Sequence, residues 1–116
     1  MTHTDIIQEF TQLSLDLRHY HWNSTMLAEH QALGEAYSTI SSMTDTIAET
    51  LVAHEGILNP FSITTKSCSV KDLPEDILSL ATTLKKYSQD KYPDLVNLSD
   101  EVSAIGSRLK YFYRLS

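Results

Sequence analysis

The sequence predicts an all-α protein, a four-helix bundle, and three observations support this prediction. Four segments repeat apolar residues at alternating spacings of three and four, which is the period of an amphipathic helix. The chain of 116 residues has only three glycines and three prolines, so long helices are possible. No segment alternates apolar and polar residues as a half-buried strand does. A chain of this length fits one domain, residues 1–116.

The first predicted helix runs from about Thr4 to Trp22. Its apolar stripe contains Ile6, Phe10, Leu13, Leu17 and then His21. The next three residues, 23–25, are Asn, Ser and Thr, which favour caps and turns. Because about three residues join the first two helices, these helices are expected to be antiparallel neighbours.

The second predicted helix runs from about Met26 to Glu55 and stops at Gly56. Its stripe contains Met26, His30, Leu33, Tyr37, Ile40, Thr44, Ile47, Leu51 and His54. At 1.5 Å per residue it is roughly 45 Å long. Much of its surface is Ala, Ser and Thr, including Ser38, Ser41 and Ser42, and such small residues let another helix approach closely.

The second half of the chain predicts a loop and two further helices. Residues 57–71 lack a clean period and contain Asn59-Pro60, so they predict a loop, long enough to cross along the bundle. Asp72 is the expected N-cap of the third helix, with Pro74 in its first turn. Tyr92-Pro93 opens the fourth helix. The two stripes are Ile77, Leu80, Leu84 and Tyr87, and Leu95, Leu98, Val102, Ile105, Leu109 and Phe112.

Four polar residues form a candidate metal site. Asp45 and Glu49 are spaced i and i+4, which stacks their carboxylates on neighbouring turns of the second helix. His30 differs from Asp45 by only about 60° in direction but by about 22 Å along the axis, so one ion cannot contact both within one chain. Two copies of the helix, antiparallel about a two-fold axis near Tyr37 to Thr39, would bring them together. Imidazole with carboxylate suits iron, manganese or zinc.

Each of these residues also has a plainer interpretation. Paired acids usually decorate a solvated helix face, and His21 could be a half-buried residue at a helix end. Trp22 is expected in the core or an interface. His54 and Glu55 are most simply a cation at a helix C-terminus and a solvated acid.

The segments HYHWN and EHQALGEAYSTISSMTDTIAETLVAHEG resemble the ferritin-like proteins of the Dps group (DNA protection during starvation), and PDLVNLSDEVSAIGSRLKYFYRL resembles the last helix of that family. The resemblance implies a ferritin-like antiparallel four-helix bundle with a crossover between the second and third helices. It also implies that His21 and His30 of one subunit, with Asp45 and Glu49 of its partner, hold ferroxidase iron at the dimer interface. Gly34 stands where the family often has a further acid.

Composition limits the partners. A formal charge of −6 and the absence of a basic tail argue against DNA binding, since phosphate contacts need clustered Lys and Arg. The first ten residues contain no Lys or Arg, so no signal peptide is expected, and no apolar run reaches the roughly 20 residues of a membrane span. The single Cys68 cannot form an internal disulfide, which suits a reducing cytoplasm. Cys68 itself is expected to have no role.

Two hypotheses for the function follow. The first is a Dps-like homo-oligomer, a two-fold dimer at least, that binds iron and acts as a ferroxidase. The second is a non-catalytic helical oligomerisation module whose metal site is degenerate or holds zinc structurally.

Overall fold

A computed structural model describes residues 1–65 and 69–115 of the chain. They form four α-helices: α1 (His3–Asn23), α2 (Leu27–Glu55), α3 (Leu73–Ser88) and α4 (Pro93–Leu115). A 3₁₀ turn, Val70–Asp72, precedes α3. The four predicted helices are confirmed, α2 is the longest with 29 residues, and the described residues contain no strand. Cys68 lies outside the described residues, so the expectation about it is not addressed.

The helix ends follow local chemistry at most positions. The Thr2 hydroxyl accepts a hydrogen bond from the Asp5 amide, and the Asp5 carboxylate accepts one from the Thr2 amide, which forms a capping box. Gly56 ends α2 with a φ of 95°, a left-handed value that favours glycine. Asp72 stands at the predicted N-cap of α3, but its side chain caps nothing. The 3₁₀ turn already places Asp72 in helical φ and ψ, whereas a capping residue is normally extended.

The core lies between two helix pairs. α1 packs along α2 and α3 packs along α4, while α1 also contacts α3 and α2 contacts α4. One cluster of buried apolar side chains fills the space between them. Its fully buried members are Ile6, Phe10, Leu17, Leu33, Ile40, Ile47, Leu51, Leu73, Ile77, Leu84, Leu95 and Val102. Every one of them except Leu73 belongs to a stripe that the sequence predicts.

The predicted stripe of α2 is too long at both ends. Met26 is 64% exposed because it precedes α2 as an extended N-cap residue. His54 is exposed as well, and it lies beyond Leu51, the last buried residue of α2. The buried part of α2 therefore runs from Leu33 to Leu51.

The segment after α2 runs beside α1. The Asn59 amide donates to the Thr4 hydroxyl across 3.0 Å, and the Gln8 side chain donates to the Ser62 carbonyl across 3.1 Å. The Gln12 side chain donates to the Thr64 carbonyl, one turn further along α1. These hydrogen bonds satisfy loop carbonyls and amides that no regular ladder satisfies.

The last turn of α2 meets the junction between α3 and α4. The Glu55 carboxylate accepts hydrogen bonds from the hydroxyls of Tyr87 and Tyr92.

An ion pair also joins α3 and α4. The amino group of Lys110, in the second half of α4, is 2.6 Å from the carboxylate of Glu75, in the first turn of α3. None of the helices in ranges 1–65 and 69–115 is long and apolar enough to cross a membrane.

Candidate metal centre

His21 and His30 form a stacked pair between the end of α1 and the start of α2. Their ring centroids are 3.9 Å apart and their ring planes differ by 19°. Nδ1 of His21 is 2.6 Å from the main-chain carbonyl of His30, and Nδ1 of His30 is 2.8 Å from the carbonyl of His21. Each imidazole is thus held by the other residue's backbone as well as by the other ring.

The short turn between α1 and α2 produces this pairing. α1 ends at Asn23, with Ser24 as its C-cap, and α2 begins at Leu27, so the two helices reverse direction within a few residues. The Ser24 hydroxyl donates to the Glu29 carboxylate across 2.7 Å and fixes the first turn of α2 relative to the end of α1. As a result, His21 and His30, nine residues apart in the chain, face each other across the contact between α1 and α2.

The hydrogen bonds define the chemistry of both rings. A carbonyl oxygen can only accept, so Nδ1 carries the proton in each neutral ring and Nε2 keeps its lone pair. A ring nitrogen held by a backbone carbonyl is the usual support of a metal-ligating histidine, because it fixes both the tautomer and the ring orientation. The pair therefore presents two Nε2 atoms that can act as metal ligands.

The structure does not bring Asp45 and Glu49 to these histidines within one chain. Both acids are exposed on α2, and the unbroken helix keeps Asp45 about 22 Å from His30 along its axis. Asp45 lines a groove on the outside of the α1–α2 seam, together with Arg18 and Tyr37. No group of three or more His, Cys, Asp and Glu residues within the described ranges could hold a metal ion in one chain.

Gly34 supports the histidine pair. A Cβ atom at this position would be 2.7 Å from Cε1 and 2.9 Å from Nδ1 of His21. The His21 ring therefore lies directly against the backbone of α2, in space that any other residue would occupy. The sequence shows a glycine at this position, but it does not reveal that a ring occupies the place of the side chain.

Arg18 and its two aromatic neighbours are a second feature that the sequence analysis missed. The guanidinium carbon lies 5.2 Å from the ring centroid of Trp22 and 5.2 Å from that of Tyr37, within the range of cation–π contacts. Trp22 was expected in the core or in an interface. It is 64% exposed, so it is not a core residue. A spacing of four between Arg18 and Trp22 on α1 is the signal that could have indicated the first contact.

Glu55 is exposed, as expected of a solvated acid, but its carboxylate also has protein partners that the sequence did not indicate. Two tyrosine hydroxyls bind its carboxylate, and Nδ1 of His3 is 4.0 Å away. The pKa of the Glu55 carboxyl is raised by burial, but hydrogen bonds from Tyr87 and Tyr92 and the charges of His3 and Lys91 outweigh this and hold it below its usual value. Glu55 is a structural acid that ties α2 to α3 and α4.

These features define a small all-helical protein with a fixed imidazole pair beside the α1–α2 turn and two exposed carboxylates further along the same helix. The chain belongs to DUF5856, a family of unknown function whose profile matches residues 21–113. The matched range begins at His21 and includes all four candidate ligands. No curated protein and no solved structure matches the chain.

Proposed function

We propose that the protein is a Dps-like iron-binding protein, in which ferrous iron binds and is oxidised at a site shared by two subunits. His21 and His30 of one subunit and Asp45 and Glu49 of its partner are the proposed ligands. The observation that supports this best is the imidazole pair: both Nδ1 atoms are held by main-chain carbonyls, so both Nε2 atoms keep their lone pairs.

The topology of the chain is compatible with the proposed ferritin-like bundle. The hydrogen bonds of residues 59–64 follow α1 from Thr4 to Gln12, that is, away from the end of α2. Glu55, at the end of α2, meets Tyr87 near the end of α3. Two helices that finish at the same end of a bundle run parallel, and a loop that crosses along the bundle is what such a connection requires. These contacts support the predicted crossover between α2 and α3.

Exposed apolar residues on α2 support the proposed two-fold dimer. Leu27 is 71% exposed and Val52 is 38% exposed. They lie 18 and 7 residues from Asp45, close to whole numbers of turns, so all three point the same way. The pair Leu27 and Val52 is centred between residues 39 and 40, and so is the pair His30 and Glu49. One antiparallel packing of two copies would therefore cover both apolar residues and bring each His30 to Glu49 of the partner.

The proposed donor set fits ferrous iron as a substrate. Neutral imidazoles and carboxylates are ligands that iron accepts, and the carboxylates stabilise the ferric product. Two ferrous ions supply the two electrons that reduce one hydrogen peroxide, with two protons, to two water molecules; dioxygen is the alternative oxidant. The chain's own contribution is to hold two imidazoles in one tautomer and to keep the acids on a surface that a second copy can reach.

A non-catalytic module with a structural metal, such as zinc, is the second candidate. Gly34 favours it, because this chain has no acid at a position where the Dps group often has one. Manganese is a further metal that the same donor set accepts. Both candidates need the same dimer and the same four residues, and they differ in whether the bound metal is oxidised.

Metal binding and ferrous oxidation in variants test the proposal. His30→Ala and Glu49→Ala should each lower iron affinity and oxidation rate, while a mixture of the two variants regains part of the activity through one intact site per heterodimer. His19→Ala and Glu101→Ala are matched controls, since neither residue is a proposed ligand, and they should behave as wild type. Wild-type rates in both site variants would refute the ligand assignment. Zinc bound without iron oxidation would favour the structural module, and failure of the mixture to recover activity would refute the shared site.

A further inference from the structure

The His21 ring occupies a place on α2 that only glycine leaves open. The distance from a Cβ at residue 34 to Cε1 of His21 would be 2.7 Å, whereas ordinary contact begins at 3.4 Å. Even alanine at this position therefore requires the ring to move by several tenths of an ångström. Gly34 is in the interior of α2, where glycine is less favourable than alanine, so its helical conformation gives no reason for it.

The ring is not free to move aside. Its Nδ1 is bound to the His30 carbonyl at 2.6 Å, and one of its faces stacks on the His30 ring at a centroid distance of 3.9 Å. A displacement that relieves the contact with a Cβ changes one or both of these interactions. The partner hydrogen bond, from Nδ1 of His30 to the His21 carbonyl, depends on the same close approach of the two helices.

We propose that Gly34 is a positioning residue for the metal site: the absence of its side chain lets His21 lie against α2 and fixes both imidazoles as Nδ1–H tautomers before any metal binds. The role in metal binding rests on the proposed function, but the role in holding the two rings does not. Gly34 contributes no ligand and acts only through His21.

A consequence is that the stacked histidine pair and an acidic side chain at residue 34 cannot both be accommodated. Gly34→Asp adds the carboxylate that the Dps group often has there, but its Cβ occupies the position of the His21 ring. This variant should therefore bind metal more weakly than the wild type, although it adds a carboxylate. A simple count of ligands predicts the opposite result, so Gly34→Asp separates the two explanations.

The experiment measures the tautomers by ¹⁵N NMR of the imidazole nitrogens in metal-free protein, and then Co²⁺ affinity by calorimetry. In the wild type, His21 and His30 should both show a protonated Nδ1. Gly34→Ala and Gly34→Asp should convert His21 to a mixture of tautomers and lower Co²⁺ affinity by at least about tenfold, in line with losses seen when the support of a metal ligand is removed. Gly106→Ala is the control, because its Cβ would meet Leu78 and Ile77 of α3 and not the histidines.

The outcomes separate this proposal from the proposed function. A wild-type His21 with its proton on Nε2, or unchanged tautomers in both Gly34 variants, overturns the role of Gly34. The same holds if Gly34→Asp binds Co²⁺ more tightly than the wild type. If the tautomers change as expected but the wild type binds no Co²⁺, Gly34 holds the pair as inferred and the proposed metal function is wrong. Circular dichroism of each variant confirms that the helices are kept.

Discussion

The Tyr92 hydroxyl donates a hydrogen bond of 2.6 Å to Oε2 of Glu55, and the Tyr87 hydroxyl donates to Oε1 of the same carboxylate. Glu55 ends α2, Tyr87 is in the last turn of α3, and Tyr92 immediately precedes α4. Three helices are thus joined at one end of the bundle by a single acid. The pKa of the Tyr87 hydroxyl is raised by burial and by its hydrogen bond to Glu55, so it stays a donor at neutral pH.

This arrangement predicts a pH-dependent contribution to stability. Because the pKa of Glu55 is lower in the folded than in the unfolded state, its ionised form stabilises the protein above the unfolded pKa, and this is lost as the pH falls through the folded pKa. Tyr92→Phe should lower the free energy of unfolding at pH 7, because it removes one of the two hydrogen bonds to the ionised carboxylate. The difference from wild type should shrink in acid, below the usual pKa of glutamate, about 4.3.

Urea unfolding at neutral and acidic pH measures this effect. Tyr111→Phe is the matched control, because the Tyr111 side chain is 64% exposed on α4 and makes none of these contacts. It should unfold as the wild type does at both pH values. If Tyr92→Phe destabilises the protein equally at both, the hydrogen bond does not depend on the ionised carboxylate.

A second prediction compares burial with surface charge. Phe10 is fully buried in the core, so Phe10→Ala should lower the free energy of unfolding by about 3–5 kcal/mol. Lys110 and Glu75 form an ion pair with a distance of 2.6 Å between the amino group and the carboxylate. Both side chains are nevertheless more than 60% exposed. Glu75→Ala should therefore cost at most about 1 kcal/mol. Thermal unfolding followed by circular dichroism ranks the two, and a larger effect for Glu75→Ala would contradict this account.

The helices could be predicted from the sequence because their periodicity reflects burial directly. Phe10, Ile40 and Val102 are fully buried, as their stripes predict. The prediction fails where contacts depend on chain reversal. Met26 follows the stripe of α2 but is exposed, since it still belongs to the turn as the extended N-cap residue before α2. The partners of Glu55 are not evident until the ends of α3 and α4 are known.

The candidate site was predictable only in part for the same reason. Helix geometry gives the spacing of Asp45 and Glu49 and their separation from His30 within one chain. It does not give the stacking of His21 on His30, because that depends on the turn between two helices and on the backbone surface at Gly34. The length of a turn can be read from a sequence, whereas the angle at which its helices pack depends on the whole core.

The third prediction is that the protein binds DNA weakly or not at all at physiological salt. The formal charge is −6, and Lys110, one of the few basic residues of α4, is paired with Glu75. Few counterions could therefore be released on binding to phosphate groups. A gel-shift titration with duplex DNA at about 150 mM salt should show free DNA at micromolar protein. A shift that persists at this salt concentration would contradict the prediction.

The fourth prediction is that two copies pack antiparallel through α2 in a defined register. Chains that carry Cys68→Ser and either Leu27→Cys or Val52→Cys are mixed and treated with a short bismaleimide linker. A covalent dimer should form, because residue 27 of one copy would face residue 52 of the other. Either variant alone should cross-link poorly. In the proposed packing, the two copies of residue 27, or of residue 52, would be separated by 25 helical positions along the axis, which is about 37 Å. Sedimentation of the untreated wild type should show a dimer at micromolar concentration.

Two controls make the register specific. Ser38→Cys, near the proposed axis, should cross-link to itself, since residues close to a two-fold axis meet their own copies. Tyr111→Cys, exposed on α4, should not cross-link, because α4 is outside the proposed interface. Only monomer in sedimentation would refute the dimer. A dimer that links through Tyr111→Cys but not through Ser38→Cys would show that two copies associate by another face, and His30 would then be out of reach of Glu49 in the partner.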